Sequence, residues 1–144
     1  MKKLIIIKEP VFKSAAHLFW GYSFDELRAF LAKNEMELED EYKGSLGLTF
    51  CNLDNSGVNY HSIWLKSSEW TLKTQAIFAH ELAHLIFDIY KTKGIEIHEE
   101  DSNETYCYLY EYYFYHFCVH IQKLVDREQK KPKRKIIANV KKQV

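Results

Sequence analysis

Short apolar runs give way, midway along the chain, to two long stretches of helical periodicity. Leu4-Ile5-Ile6-Ile7 is rich in β-branched residues and is closed by Glu9-Pro10, the pattern of a buried strand near 4–8. Residues 11–20 read two ways: Val11-Phe12 extends a strand pattern, whereas Ala15-Ala16-His17-Leu18-Phe19-Trp20 also suits a helical turn. Ser23 followed three residues later by Glu26 is a capping box, and Leu27, Phe30 and Leu31 continue the stripe of a helix over about 24–33. Residues 46–53 and 58–65 alternate apolar with small or polar positions around Asp54-Asn55-Ser56-Gly57. This predicts a hairpin near 46–65.

The first long stretch predicts a helix over about 69–91, with Ser68 as its expected N-cap and Thr71 as the alternative. Gly94 ends it, and Lys91 and Lys93 lie near its negative end. The second predicts a helix over about 102–124, apolar or aromatic on almost every side, with six tyrosines between Tyr106 and Tyr115. Strands and helices of this kind predict an α+β class: a short sheet packed on two long helices. Residues 1–126 are expected to form one domain.

Composition refines this picture. No apolar run approaches the roughly 20 residues needed to span a bilayer, and the opening Met1–Lys8 has too short an apolar core for a signal peptide. The expected compartment is cytoplasmic, with no membrane partner. Cys51, Cys107 and Cys118 are odd in number and form no Cys-x-x-Cys pair, so they are expected as buried, reduced thiols. The net charge is zero but unevenly spread. Residues 127–144 hold eight Lys/Arg against Glu128, leaving 12 basic against 19 acidic residues elsewhere. The chain is an acidic body with a basic tail. The acidic run Glu35–Glu41 lacks the alternation and the glycine of a calcium loop and reads as solvated.

The chemistry concentrates in His80-Glu81-Leu82-Ala83-His84, inside the apolar run 77–86. With 7 His and 14 Glu in 144 residues, His-Glu-x-x-His is expected by chance about 0.03 times. Histidines four apart share one helix face, with Cβ atoms about 5–6 Å apart, so their rings can meet on one Zn²⁺. Glu81 projects beside them, where it can accept a proton from a metal-bound water. A catalytic zinc takes three protein ligands and leaves one position open. The third is sought after the motif, among His98, Glu99, Glu100, Asp101, Glu104, Glu111, His116 and His120; Glu104, at the start of the facing helix, is the leading choice. Asp88, one turn after His84, can accept its free imidazole N–H, or can be a plain exposed acid. Tyr106, Tyr108, Tyr112, His116 and His61 are the candidate oxyanion donors. The strand Tyr60–Leu65 could hold an extended substrate by strand addition if it forms a sheet edge.

The His-Glu-x-x-His pair followed twenty residues later by Asn103-Glu104 resembles the gluzincin pattern of the thermolysin-like metallopeptidases. Asn103–Leu109 is also similar to the Glu-x-x-x-Tyr-Leu helix of small phage and prophage proteins identified as metallopeptidases. More loosely, the chain is similar to compact cytoplasmic peptidases associated with mobile elements and repressor cleavage. The likeness covers about residues 60–115. It implies a small zincin-like domain with one Zn²⁺ per chain, held by His80, His84 and Glu104, and Glu81 as general base in the hydrolysis of a peptide or protein substrate. Tyr108 stands where the thermolysin-like proteins carry an acid, and their downstream oxyanion histidine has no counterpart. The resemblance implies a bacterial or phage-infected cytoplasm. The monomer or a small homo-oligomer is expected. The competing reading is a non-catalytic, zinc-stabilised interaction or regulatory protein whose tail, residues 127–144, contacts nucleic acid.

Overall fold

The computed structural model describes residues 2–53, 59–96 and 102–130. The fold is α+β: a four-stranded sheet and three helices. The strands are β1 (Lys3–Glu9), β2 (Ser14–Trp20), β3 (Gly47–Leu53) and β4 (Asn59–Leu65). The helices are α1 (Phe24–Ala32), α2 (Leu72–Lys93) and α3 (Ser102–Gln129). The sheet order is β1-β2-β4-β3, so β1 and β3 are its edges. β1/β2 and β3/β4 are antiparallel, while β2 and β4 run parallel.

β2 resolves the ambiguity at 11–20 in favour of a strand. It is central and buried on both faces, which erases the alternation that marks a half-exposed strand. Leu18, Trp20, Ile63 and Leu65 face a core shared with α2 and α3, whereas Phe19 and Trp64 face Phe24, Leu27 and Leu31 of α1. The molecule is therefore three layers, with α1 on one side of the sheet and α2 and α3 on the other.

The α1 capping box forms as expected: the Ser23 hydroxyl accepts from Glu26 N–H, and the Glu26 carboxylate accepts from Ser23 N–H. The acidic run ends in a 3-10 turn over Asp40–Gly44. Thr71, not Ser68, caps α2, its side chain accepting from Thr74 N–H. Ser67 instead turns its hydroxyl onto the backbone of Glu69, so the chain bends there before the helix starts. Gly94 closes α2 at φ +64°, the left-handed cap that glycine adopts without a Cβ penalty. The thiols are free, but Cys51 and Cys107 are exposed and Cys118 is half-buried, against the expectation of burial. Cys51 and Cys107 belong to an edge strand and to the outer side of a helix. α3 runs three residues into the stretch read as a basic tail.

The tyrosines of α3 attach it to the other elements. Tyr113 shares a hydrogen bond with Ser14, and Tyr112 donates to the Lys8 carbonyl. Tyr110 donates to the Ala79 carbonyl, and Tyr108 to the carboxylate of Glu9. Glu9 is only 2% exposed. Its carboxylate also accepts from Val11 N–H and Phe12 N–H at 2.7 Å each, which closes the β1–β2 turn. Three donors around one buried carboxylate offset the cost of burying it. Glu9→Ala is expected to cost about 2–4 kcal/mol in urea unfolding, and Tyr108→Phe added to it should cost little more.

Candidate metal and hydrolytic site

The phase of α2 decides where the motif faces. Phe78, Leu82, Leu85, Ile86 and Ile89 are fully buried, so the opposite side of the helix, with His80 and His84, is exposed. The two imidazoles meet there, Nε2 to Nε2 at 3.1 Å, with the rings nearly perpendicular. Two nitrogens at that separation, each about 2.0–2.1 Å from one ion, would subtend about 98° at it, close to tetrahedral. The pair is thus spaced as two ligands of one ion would be, and a catalytic zinc takes a third from the protein.

Glu81 lies on the seam between α2 and the edge strand β3. Thr49 of β3 places its hydroxyl 2.8 Å from Glu81 Oε2 and 2.7 Å from the Glu81 carbonyl oxygen. Gly47 permits this approach: a Cβ there would stand 2.6 Å from Ile77 Cγ2 and 3.0 Å from Glu81 Cγ. A cavity of about 490 Å³ opens beside the pair, lined by Leu46, Gly47, Ala76, Ile77, His80 and Glu81. A larger one, about 580 Å³, lies on the far face of the sheet between α1, His17 and Tyr60, away from this chemistry.

Asp88 is half-buried on the same seam. Burial raises its pKa, while Lys91 and His84 pull it down, so it lies within electrostatic reach of His84. It also adds to burial in raising the Cys51 thiol across the seam on β3.

The other candidates stand elsewhere. Glu104 and Glu111 are exposed on α3. Among the described residues, no group of three or more His, Cys, Asp or Glu side chains stands close enough to hold a metal ion. His98, Glu99, Glu100 and Asp101 lie outside the described residues. Tyr108 and Tyr112 turn their hydroxyls to β1, the edge opposite Glu81. Tyr106 packs on Phe87 and Tyr90, and His116 on Tyr112 and Tyr115. His120 is exposed, and the half-buried His17 packs its ring at a tilt against Tyr60. β4 is interior, between β2 and β3, so Tyr60–Leu65 is not the sheet edge that strand addition would need. Sequence reasoning missed Thr49 and Gly47. A glycine inside an alternating strand was the signal, since it marks a close backbone approach.

His61 is 2% exposed, with Nε2 3.1 Å from Thr92 Oγ1. Burial, then Lys93 and His17, push its pKa from 6.5 down to about 4. Between those values the unfolded chain binds a proton that the folded chain refuses, so stability falls as pH drops from about 6.5 to 4. The loss over that window should be on the order of 2–3 kcal/mol. His61→Gln should flatten it in urea titrations at stepped pH. Gly47→Ala should lower stability by about 1–3 kcal/mol, with the largest hydrogen-exchange losses in β3.

In comparisons with known proteins, no family model, no curated protein and no solved structure matches the chain.

Proposed function

We propose that the chain is a zinc-dependent peptidase whose metal is held by His80 and His84. The convergence of the two Nε2 atoms at 3.1 Å, one residue from a carboxylate on the seam beside them, carries this reading. A zinc ion bound there would supply Lewis acidity and a water that ionises near neutral pH. Glu81 is the base of this reading: its carboxylate would accept a proton from that water and pass it to the leaving amine. Glu104 is the third ligand that the resemblance implies. It stands on the solvent side of α3, so the histidine pair and not Glu104 is the basis of the proposal.

The outer edge of β3 supports a peptide as substrate, because an edge strand offers backbone donors and acceptors to an extended chain. The apolar walls at Leu46, Ala76 and Ile77 suit one of its side chains. No helix among the described residues is long and apolar enough to cross a membrane, and the free thiols suit a reducing compartment such as the cytoplasm.

Zinc titration of the purified protein, with hydrolysis of an unfolded protein followed in parallel, tests the reading. His80→Ala and His84→Ala should each weaken zinc binding by more than the roughly 10–100-fold cost of losing an outer-shell partner. Glu81→Gln should keep zinc and lose roughly 10²–10⁴-fold in rate. A wild-type chain that binds no zinc ends the proposal. Zinc binding with a rate that ignores Glu81→Gln assigns the metal a structural role instead.

A further inference from the structure

We infer that Thr49 is a positioning residue for the Glu81 carboxylate, a latch with two resting places on the same residue. The inference rests on the reading of Glu81 as the base. The Thr49 hydroxyl has one proton and two acceptors within reach, Glu81 Oε2 at 2.8 Å and the Glu81 carbonyl oxygen at 2.7 Å. Donated to Oε2, the proton fixes the carboxylate against β3, beside Gly47 and one residue along the chain from the histidine pair. Donated to the carbonyl oxygen, which lies mid-helix and keeps a second lone pair, it frees the carboxylate to turn.

In both arrangements the hydroxyl is satisfied. Release of the carboxylate therefore leaves no half-buried donor unpaired, a state that would cost about 1–3 kcal/mol. A bond serving only to fasten α2 to β3 would need the carbonyl alone. The second acceptor restrains the side chain that does the chemistry.

The geometry also explains why the latch is a β-branched alcohol on this strand. Residues 47, 49 and 51 project from β3 toward α2, at Ile77/Glu81, at Glu81 and at Asp88 in turn. Position 49 is the one level with the carboxylate. A serine there keeps the hydroxyl and loses the methyl that narrows its rotamers; a valine keeps the shape and loses the proton.

Two measurements test this. The first is a double-mutant cycle on the metal-free protein, with Thr49→Val, Glu81→Ala and both, read by urea unfolding. Because Glu81→Ala leaves the carbonyl oxygen as an acceptor, the cycle reads only what the side-chain bond adds, and it predicts coupling of about threefold in the folding constant, about 0.65 kcal/mol. Additive costs overturn the restraint. The second is kinetic, on the zinc-loaded chain. Thr49→Val should lower kcat by about tenfold or more, with KM and zinc affinity within about twofold, and Thr49→Ser should restore most of kcat. An unchanged kcat in Thr49→Val, or no rescue by serine, overturns the positioning role. A wild-type chain without zinc or hydrolysis refutes the peptidase reading and this role with it, while the cycle still decides whether Thr49 restrains Glu81.

Discussion

The close approach of α2 to the β3–β4 side of the sheet is the constraint on which the rest of the structure depends. One face of α2 is buried on the strands and on α3. That fixes the helix in rotation as well as in position. His80 and His84 are left facing outward, and Glu81, one residue round from His80, is set on the seam with β3. Gly47 sets how close the seam can be: a Cβ there would stand 2.6 Å from Ile77 Cγ2, nearer than any side chain can come without pushing the two elements apart. The burial of Leu82, Leu85 and Ile89 thus governs the site as much as the residues in it.

α3 answers to a different requirement. A 28-residue helix this rich in tyrosine has to bury rings without stranding hydroxyls. It does so by placing four of its hydroxyls on three neighbouring elements: on Ser14 of β2, on Lys8 and Glu9 of β1, and on Ala79 of α2. Tyr106, Tyr110 and Phe114 meanwhile stack in succession along the α2 side. Burial raises the pKa of Tyr113 most strongly, so its hydroxyl stays protonated against Ser14. Of these, Tyr108 and Tyr112 read in sequence as possible oxyanion donors, as did Tyr106; in the fold Tyr108 and Tyr112 hydrogen-bond to β1 and Tyr106 packs on α2.

What was legible in the sequence follows from the same physics. The α+β class, the β3–β4 hairpin, the capping box and both long helices could be read because each has a local signal: a turn, a cap, a periodicity. β2 could not, because a strand buried on both faces carries no alternation, and Ala15-Ala16-His17 is as good a helix as a strand. The histidine pair was legible because four-residue spacing on a helix is itself a distance. Thr49 was not, because its meeting with Glu81 spans 32 residues and depends on sheet order.

Glu104 shows the limit of reading a site by spacing alone. A count of twenty residues from His84 places it in the first turn of α3, but its direction is set by the phase of that helix. Tyr106 faces α2, against Phe87 and Tyr90. Two residues earlier the helix has turned about 200°, so Glu104 points away from that contact. Glu111, seven residues on, returns within about 20° of Glu104 and is exposed with it. The aromatic packing that anchors α3 is therefore the packing that keeps its acids off the histidines. A third ligand from α3 needs the first turn to rotate away from the phase the tyrosines set. In the described arrangement the site is a two-histidine face with the Glu81 carboxylate, hydrogen-bonded by Thr49, at its edge.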